Sequence, residues 1–207
     1  VPTVHALAQA LGRTLSQAEA AALGSYLDLV VAWNRKLDLT AAKGALAQIE
    51  VMLGDALVLS QPSLIAPSAR LLDVGSGAGA PAIPLLLLRP DLKGTLVEPL
   101  RKRVAFLRTV VGTLGLVERV TVLERKLDPN APSLEDLVPP FDVAMSRATF
   151  APELWLGAGV VLAQRTLVLL AQQSAPFAPE GTHLVHEQSY TLPLHEASRS
   201  IAVYDRV

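Results

Sequence analysis

The chain has 207 residues, enough for one ordinary domain with a sizeable apolar core, and its 0 cysteines exclude a disulfide scaffold and any reaction that runs through a cysteine nucleophile. A formal net charge of −1 gives no overall pull on a polyanion, so any nucleic-acid contact has to come from a local basic cluster such as Arg101-Lys102-Arg103. The hydrophobic fraction is 51%, yet the densest run, Ile83 to Leu88, is far too short to cross a bilayer and reads as a buried helix. The opening Val-Pro-Thr carries no basic leader or apolar core, so no secretory signal is expected, and a chain without cysteine suits the cytoplasm.

In chain order, Ser16-Gln-Ala-Glu19 has the spacing of a capping box, and Leu23, Leu27, Val30, Val31 and Leu37 follow at helical intervals, which predicts a helix over 16–36. A second helix is expected over 44–60, before the breaker-rich 61–67. Residues 1–66 are thus expected to form a helical cap and 67–207 a second unit. From Arg70 onward the pattern changes. Short runs rich in Val and Leu at 70–75, 94–98, 119–124, 141–146 and 166–171 read as strands, with helices near 81–89, 100–115 and 152–164. Such alternation predicts a parallel sheet covered by helices on both faces. Two further strands, 182–191 and 199–206, have no helix between them and should form a terminal hairpin. His183 and His186 lie on the first of these, where period-2 alternation would point them to opposite faces; no metal site is expected.

Asp73-Val74-Gly75-Ser76-Gly77-Ala78-Gly79 ends the first strand, and an acid, Glu98, ends the next. In an open α/β sheet, ligands bind outside the carboxyl ends of the strands, and Gly75, Gly77 and Gly79 let the backbone approach a ligand closely. The same text satisfies a loose dinucleotide fingerprint, Gly75-x-Gly77-x-x-Ala80, so a nicotinamide cofactor competes with S-adenosylmethionine. Asp73 favours the second: a carboxylate there suits a cationic amino-acid end and would repel a pyrophosphate. Pro81 and Pro84 also remove N–H donors from the helix start that a phosphate would use. Glu98 can accept from both ribose hydroxyls of either cofactor. Seven strands ending in a hairpin match the class I S-adenosylmethionine-dependent methyltransferase fold, a Rossmann-like sheet with its last strand antiparallel.

Read outward from these residues, Leu72 to Gly79, Ile83-Pro84, Arg89-Pro90-Asp91, Thr95 to Glu98 and Leu100 to Leu107 resemble the RsmG (GidB) family, bacterial enzymes that methylate guanine N7 in 16S ribosomal RNA. The resemblance continues through Phe141 to Ala148, Tyr190 to Pro193 and Arg199, and back to Tyr26-Leu27, Trp33-Asn34 and Leu39-Thr40. It implies that Gly75, Ala80, Lys126, Leu127 and Arg147 contact S-adenosylmethionine and that Glu98 takes the ribose. Arg147 would stand where cofactor and target base meet, as the candidate catalytic residue holding a cofactor carboxylate or a guanine edge. Arg101, Lys102 and Arg103 match a basic segment suited to RNA phosphates. The implied partner is 16S rRNA or the small ribosomal subunit, acted on by a monomer without metal or membrane.

Several positions depart from the family pattern. Ala80 and Ala82 replace a large apolar residue and a Gly. In Glu124-Arg125-Lys126-Leu127-Asp128, Leu127 stands where the family has a Glu able to accept from the adenine amino group. Met52-Leu53-Gly54-Asp55 replaces a His-Phe-Leu-Asp segment, and Gln172-Gln173 replaces a Lys-Gly. Guanine N7 has no proton to lose, so its methylation asks for alignment and no general base, and none is evident in the sequence. Two other readings stay open: a methyltransferase for a small molecule or protein, and a non-catalytic RNA-binding relative.

Overall fold

A computed structural model of the chain describes residues 2–134 and 141–207. Three helices come first: α1 (Pro2–Ala10), α2 (Gln17–Asn34) and α3 (Ala45–Leu59). Ser16 caps α2 as its spacing predicts, for its hydroxyl accepts from Glu19 N while the Glu19 carboxylate accepts from Ser16 N at 2.8 Å. Helix α3 is buried along most of its length, which explains a sequence with almost no polar face.

The remainder alternates as β1 (Arg70–Val74), α4 (Ala82–Leu88), β2 (Lys93–Glu98), α5 (Arg101–Thr113), β3 (Val120–Glu124), β4 (Phe141–Ser146), α6 (Pro152–Leu162), β5 (Ala163–Leu170), β6 (Thr182–Leu192) and β7 (Ala197–Arg206). The strands form one seven-stranded sheet in the order β3-β2-β1-β4-β5-β7-β6. Strands β1 to β5 pair in parallel, and β7 runs antiparallel to both β5 and β6. This is the expected methyltransferase sheet, with the chain reversing direction of growth between β1 and β4.

Period-2 alternation divides the core in two. Leu71, Leu96, Val143, Met145, Leu167, Ile201 and Val203 face one side, where residues of α1 to α5 complete a continuous apolar cluster. Leu72, Val74, Val97, Ala144, Val168, Ala202 and Tyr204 face the other, against Trp155, Leu156 and Leu162 of α6. Because both faces of β1 are covered, Leu71 to Val74 are all buried, and the strand reads as an unbroken apolar run interrupted by one acid, Asp73. No helix among the described residues is long and apolar enough to cross a membrane.

Three sequence expectations change. Helix α1 is absent from them; Val4, Leu7 and Ala8 are buried against the same cluster as α2 and α3, a tertiary reward invisible in so short a segment. Strand β5 begins at Ala163, directly after α6, because Phe141 of β4 pairs with Ala163. His183 and His186 do not point to opposite faces: a bulge at Val185 sets them opposite Asp205 and Val203, two residues apart on β7, and so on one face. Both are exposed, and no group of His, Asp or Glu among the described residues is arranged to hold a metal.

Candidate functional site

The loop after β1 makes a turn that only glycine tolerates at its first position. Gly75 has φ +77°, its N–H donates to Val97 O at 2.8 Å, and a Cβ there would lie 2.1 Å from Thr149 Oγ1. The loop is also supported from beneath by the N-terminal helices: the buried Tyr26 hydroxyl of α2 donates to Ala78 O at 2.8 Å. Burial pushes the Tyr26 phenol well above its ordinary range, so it remains a donor at all working pH.

Asp73 and Glu98 stand at the carboxyl ends of β1 and β2 and are both buried. Glu98 clamps the loop to its own strand, since Oε2 accepts from Gly77 N at 2.8 Å and Oε1 from Leu100 N at 3.0 Å. Asp73 is different. Its Oδ2 is enclosed with no hydrogen-bond partner among the described residues. Burial raises its pKa to about 7, with Ser76 and Arg147 pulling it down and Glu98 pushing it up. A buried carboxylate with one unpaired oxygen is costly unless a donor or cation arrives, which fits the ammonium end of S-adenosylmethionine and not a pyrophosphate.

Arg147 follows β4 and lies close enough to act electrostatically on Asp73 and Tyr26. Its guanidinium is nonetheless held by α3: Nη1 donates to Val51 O at 2.7 Å and to Asp55 Oδ2 at 3.0 Å. Asp55 also accepts from the Tyr190 hydroxyl at 2.6 Å, so one buried acid joins α3, β4 and β6. That desolvation, with the charge on Asp55, drives the Tyr190 phenol far above its usual pKa.

The loop after β3 reaches the same end of the sheet, with Arg125 N donating to Glu98 O at 3.2 Å. Lys126 is exposed there, whereas Leu127 is buried in the cluster that contains Val74 and Val97. Leu127 therefore offers only apolar surface where a Glu would accept a hydrogen bond, and Asp128 is occupied by Asn130 N at 2.9 Å. Ala80 is buried behind the loop. Arg101 and Lys102 are exposed at the start of α5, and Arg103 reaches back to Asp38 O at 3.3 Å. Together with Lys36 these three line a cleft of about 430 Å³.

Asp73, the glycine loop, Glu98 and Arg147 thus meet at one place, while Lys126 and the basic helix start border it. Sequence reasoning gave no role to Tyr26, Asp55, Thr149 or Tyr190. Asp55 did carry a signal, because an acid inside the apolar run Val51 to Leu59 must find a partner.

The family model described as rRNA small subunit methyltransferase G matches residues 19–183. A protein named ribosomal RNA small subunit methyltransferase G from Anaeromyxobacter dehalogenans is 36% identical over 207 aligned positions, which cover 96% of this chain and 94% of that protein. Among solved structures, TrmN from Thermus thermophilus is similar with a TM-score of 0.56 at 18% identity, over 84% of this chain and 53% of that one. A Pyrococcus horikoshii protein is similar with a TM-score of 0.53 at 15% identity, over 89% of this chain and 99% of its own. These two show the shared fold alone. The sheet order, the acid-and-glycine site and the match over nearly the whole chain lead to one conclusion: the chain belongs to the family of ribosomal RNA small subunit methyltransferase G.

Proposed function

We propose that this chain transfers the methyl group of S-adenosylmethionine to N7 of a guanine in small-subunit (16S) ribosomal RNA, as a cytoplasmic monomer whose residues 1–66 form a cap over residues 67–207. The observation that carries the reading is the buried Asp73, its Oδ2 without a hydrogen-bond partner among the described residues, one strand away from Glu98 across a glycine loop, in a chain of this family.

When bound, S-adenosylmethionine would supply an electrophilic methyl on a sulfonium, whose sulfur would be left as a neutral thioether once the methyl had passed to N7. Asp73 would receive the cationic amino-acid end. Glu98 would accept from the ribose hydroxyls, and Gly75, Gly77, Gly79 and Ala80 would allow close backbone approach. Lys126 and Leu127 would border the adenine, with Leu127 giving contact area and no hydrogen bond. Arg147, held by Asp55 and Val51 O, would orient a cofactor carboxylate or the guanine edge without moving a proton. Arg101, Lys102 and Arg103 would bind phosphates. N7 carries a free lone pair, so orientation is what the protein has to supply.

Transfer of labelled methyl to small ribosomal subunits, naked ribosomal RNA and total metabolites, followed by nucleoside mass spectrometry, tests this. We expect 7-methylguanosine from the RNA or the subunits; label in any other product refutes the proposal. Leu127 and Gln172-Gln173 favour one second reading, a non-catalytic RNA-binding relative. No S-adenosylmethionine binding at high micromolar concentration in a calorimetric titration would select it.

A further inference from the structure

A cleft of about 600 Å³ opens between the 40–43 loop, α3 and the β6–β7 turn. Sites for small ligands run to about 300–1,000 Å³, so a nucleotide is a suitable size. Val51 and Leu192 give it an apolar wall, Lys43, His195 and Arg199 give it positive or protonatable edges, and no carboxylate is among its lining residues. The acid behind it, Glu50, is buried and already occupied by Leu194 N at 2.6 Å and by the His195 ring nitrogen Nδ1. Among the described residues, Lys43 is exposed with no ion-pair partner and Arg199 Nε is enclosed with no hydrogen-bond acceptor. The carbonyl that holds Arg147 belongs to Val51, a wall residue of this cleft.

We infer that this cleft binds one nucleotide of the substrate RNA beside the methylated guanine, its phosphate on Lys43 and Arg199 and its base along Val51 and Leu192; the inference rests on the RNA methyltransferase reading. A guanine whose N7 is accessible comes from a splayed strand, because the deep major groove of duplex RNA hides that edge. Its neighbours are then unstacked as well and need surface of their own. An apolar wall with cationic edges is how proteins receive such nucleotides without reading sequence. Arg presents a fork that matches a phosphate, Lys a point charge, and in a chain of net −1 this pair adds a second patch of positive charge to the one at Arg101 to Arg103.

The test compares the intact wild-type chain with Lys43→Ala, Arg199→Gln and Ala47→Trp, measuring affinity for small-subunit ribosomal RNA across a salt series, methylation KM for that RNA, and S-adenosylmethionine affinity. Lys43→Ala and Arg199→Gln should each lower RNA affinity about 3- to 10-fold, raise KM for RNA, and reduce the slope of log affinity against log salt by about 0.7. Ala47→Trp, which fills the cleft, should weaken binding with the slope preserved. S-adenosylmethionine affinity should stay within about twofold, which reports intact folding. Lys43 sits on an exposed loop, so its variant tests the idea even if Arg199→Gln does not fold. Wild-type RNA methylation with unchanged slopes in both charge variants overturns the cleft alone; wild-type chain that neither binds nor methylates RNA overturns the cleft and the proposed substrate together.

Discussion

Asp73 shows how much one residue in one place decides. An acid inside an apolar strand is expensive, and burial lifts its pKa from 3.8 to about 7. The folded chain then holds the proton more tightly than the unfolded chain does. The stability linked to it is complete below pH 3.8 and is lost as pH rises through about 7, while a cationic ligand needs the carboxylate charged. We therefore expect S-adenosylmethionine affinity to climb between pH 6 and 8 in the wild type and to be lower and nearly flat in Asp73→Asn. Ligand-free Asp73→Asn should gain in melting temperature over the wild type between pH 5 and 8. Calorimetry and thermal unfolding at three pH values measure both effects; parallel pH profiles for the two proteins would sink the assignment. Gly75 is the complementary case, because its φ of +77° and the nearby Thr149 leave no room for a side chain.

Among elements, α3 is the one whose role its own pattern conceals. It reads as a buried helix of the cap, yet Asp55 on it ties Arg147 after β4 to Tyr190 on β6. Asp55 is 4% exposed and Arg147 19%, so removing the acid strands a cation and a phenol, Tyr190, that are each only partly solvated. Breaking a buried ion pair costs about 3–5 kcal/mol, and partial solvation of Arg147 brings this to about 2–3 kcal/mol. Asp55→Ala should lower the urea midpoint accordingly, and methyl transfer should fall further than stability explains because Arg147 loses its anchor. Transfer rates that track only the fraction folded would show that the anchor is structural. The α2 cap was fully legible, since Ser16 and Glu19 meet through local geometry. Helix α1 was not, because its stability comes from packing against distant residues.

At the scale of the whole molecule, low net charge makes recognition of RNA depend on a few placed cations. Arg101 and Lys102 are exposed, and neither takes part in the Glu98 hydrogen bonds that hold the glycine loop. Replacing both with Ala should reduce the salt slope of RNA binding by about 1.5, from about 0.7–0.9 per phosphate contact, and leave S-adenosylmethionine affinity unchanged. An unaltered slope would remove that helix start from the RNA contact.

The order of elements from α2 onward, the glycine turn and the two acids at neighbouring strand ends were set by the sequence alone, because period, breakers and strand-end chemistry are local properties of the chain. Only the tertiary structure decided that Arg147 is anchored by Asp55, that Leu127 turns into the core, and that a bulge brings His183 and His186 to one face. Each of those depends on which residue, far away in the chain, competes for the same space or the same hydrogen bond, and no local pattern records that competition.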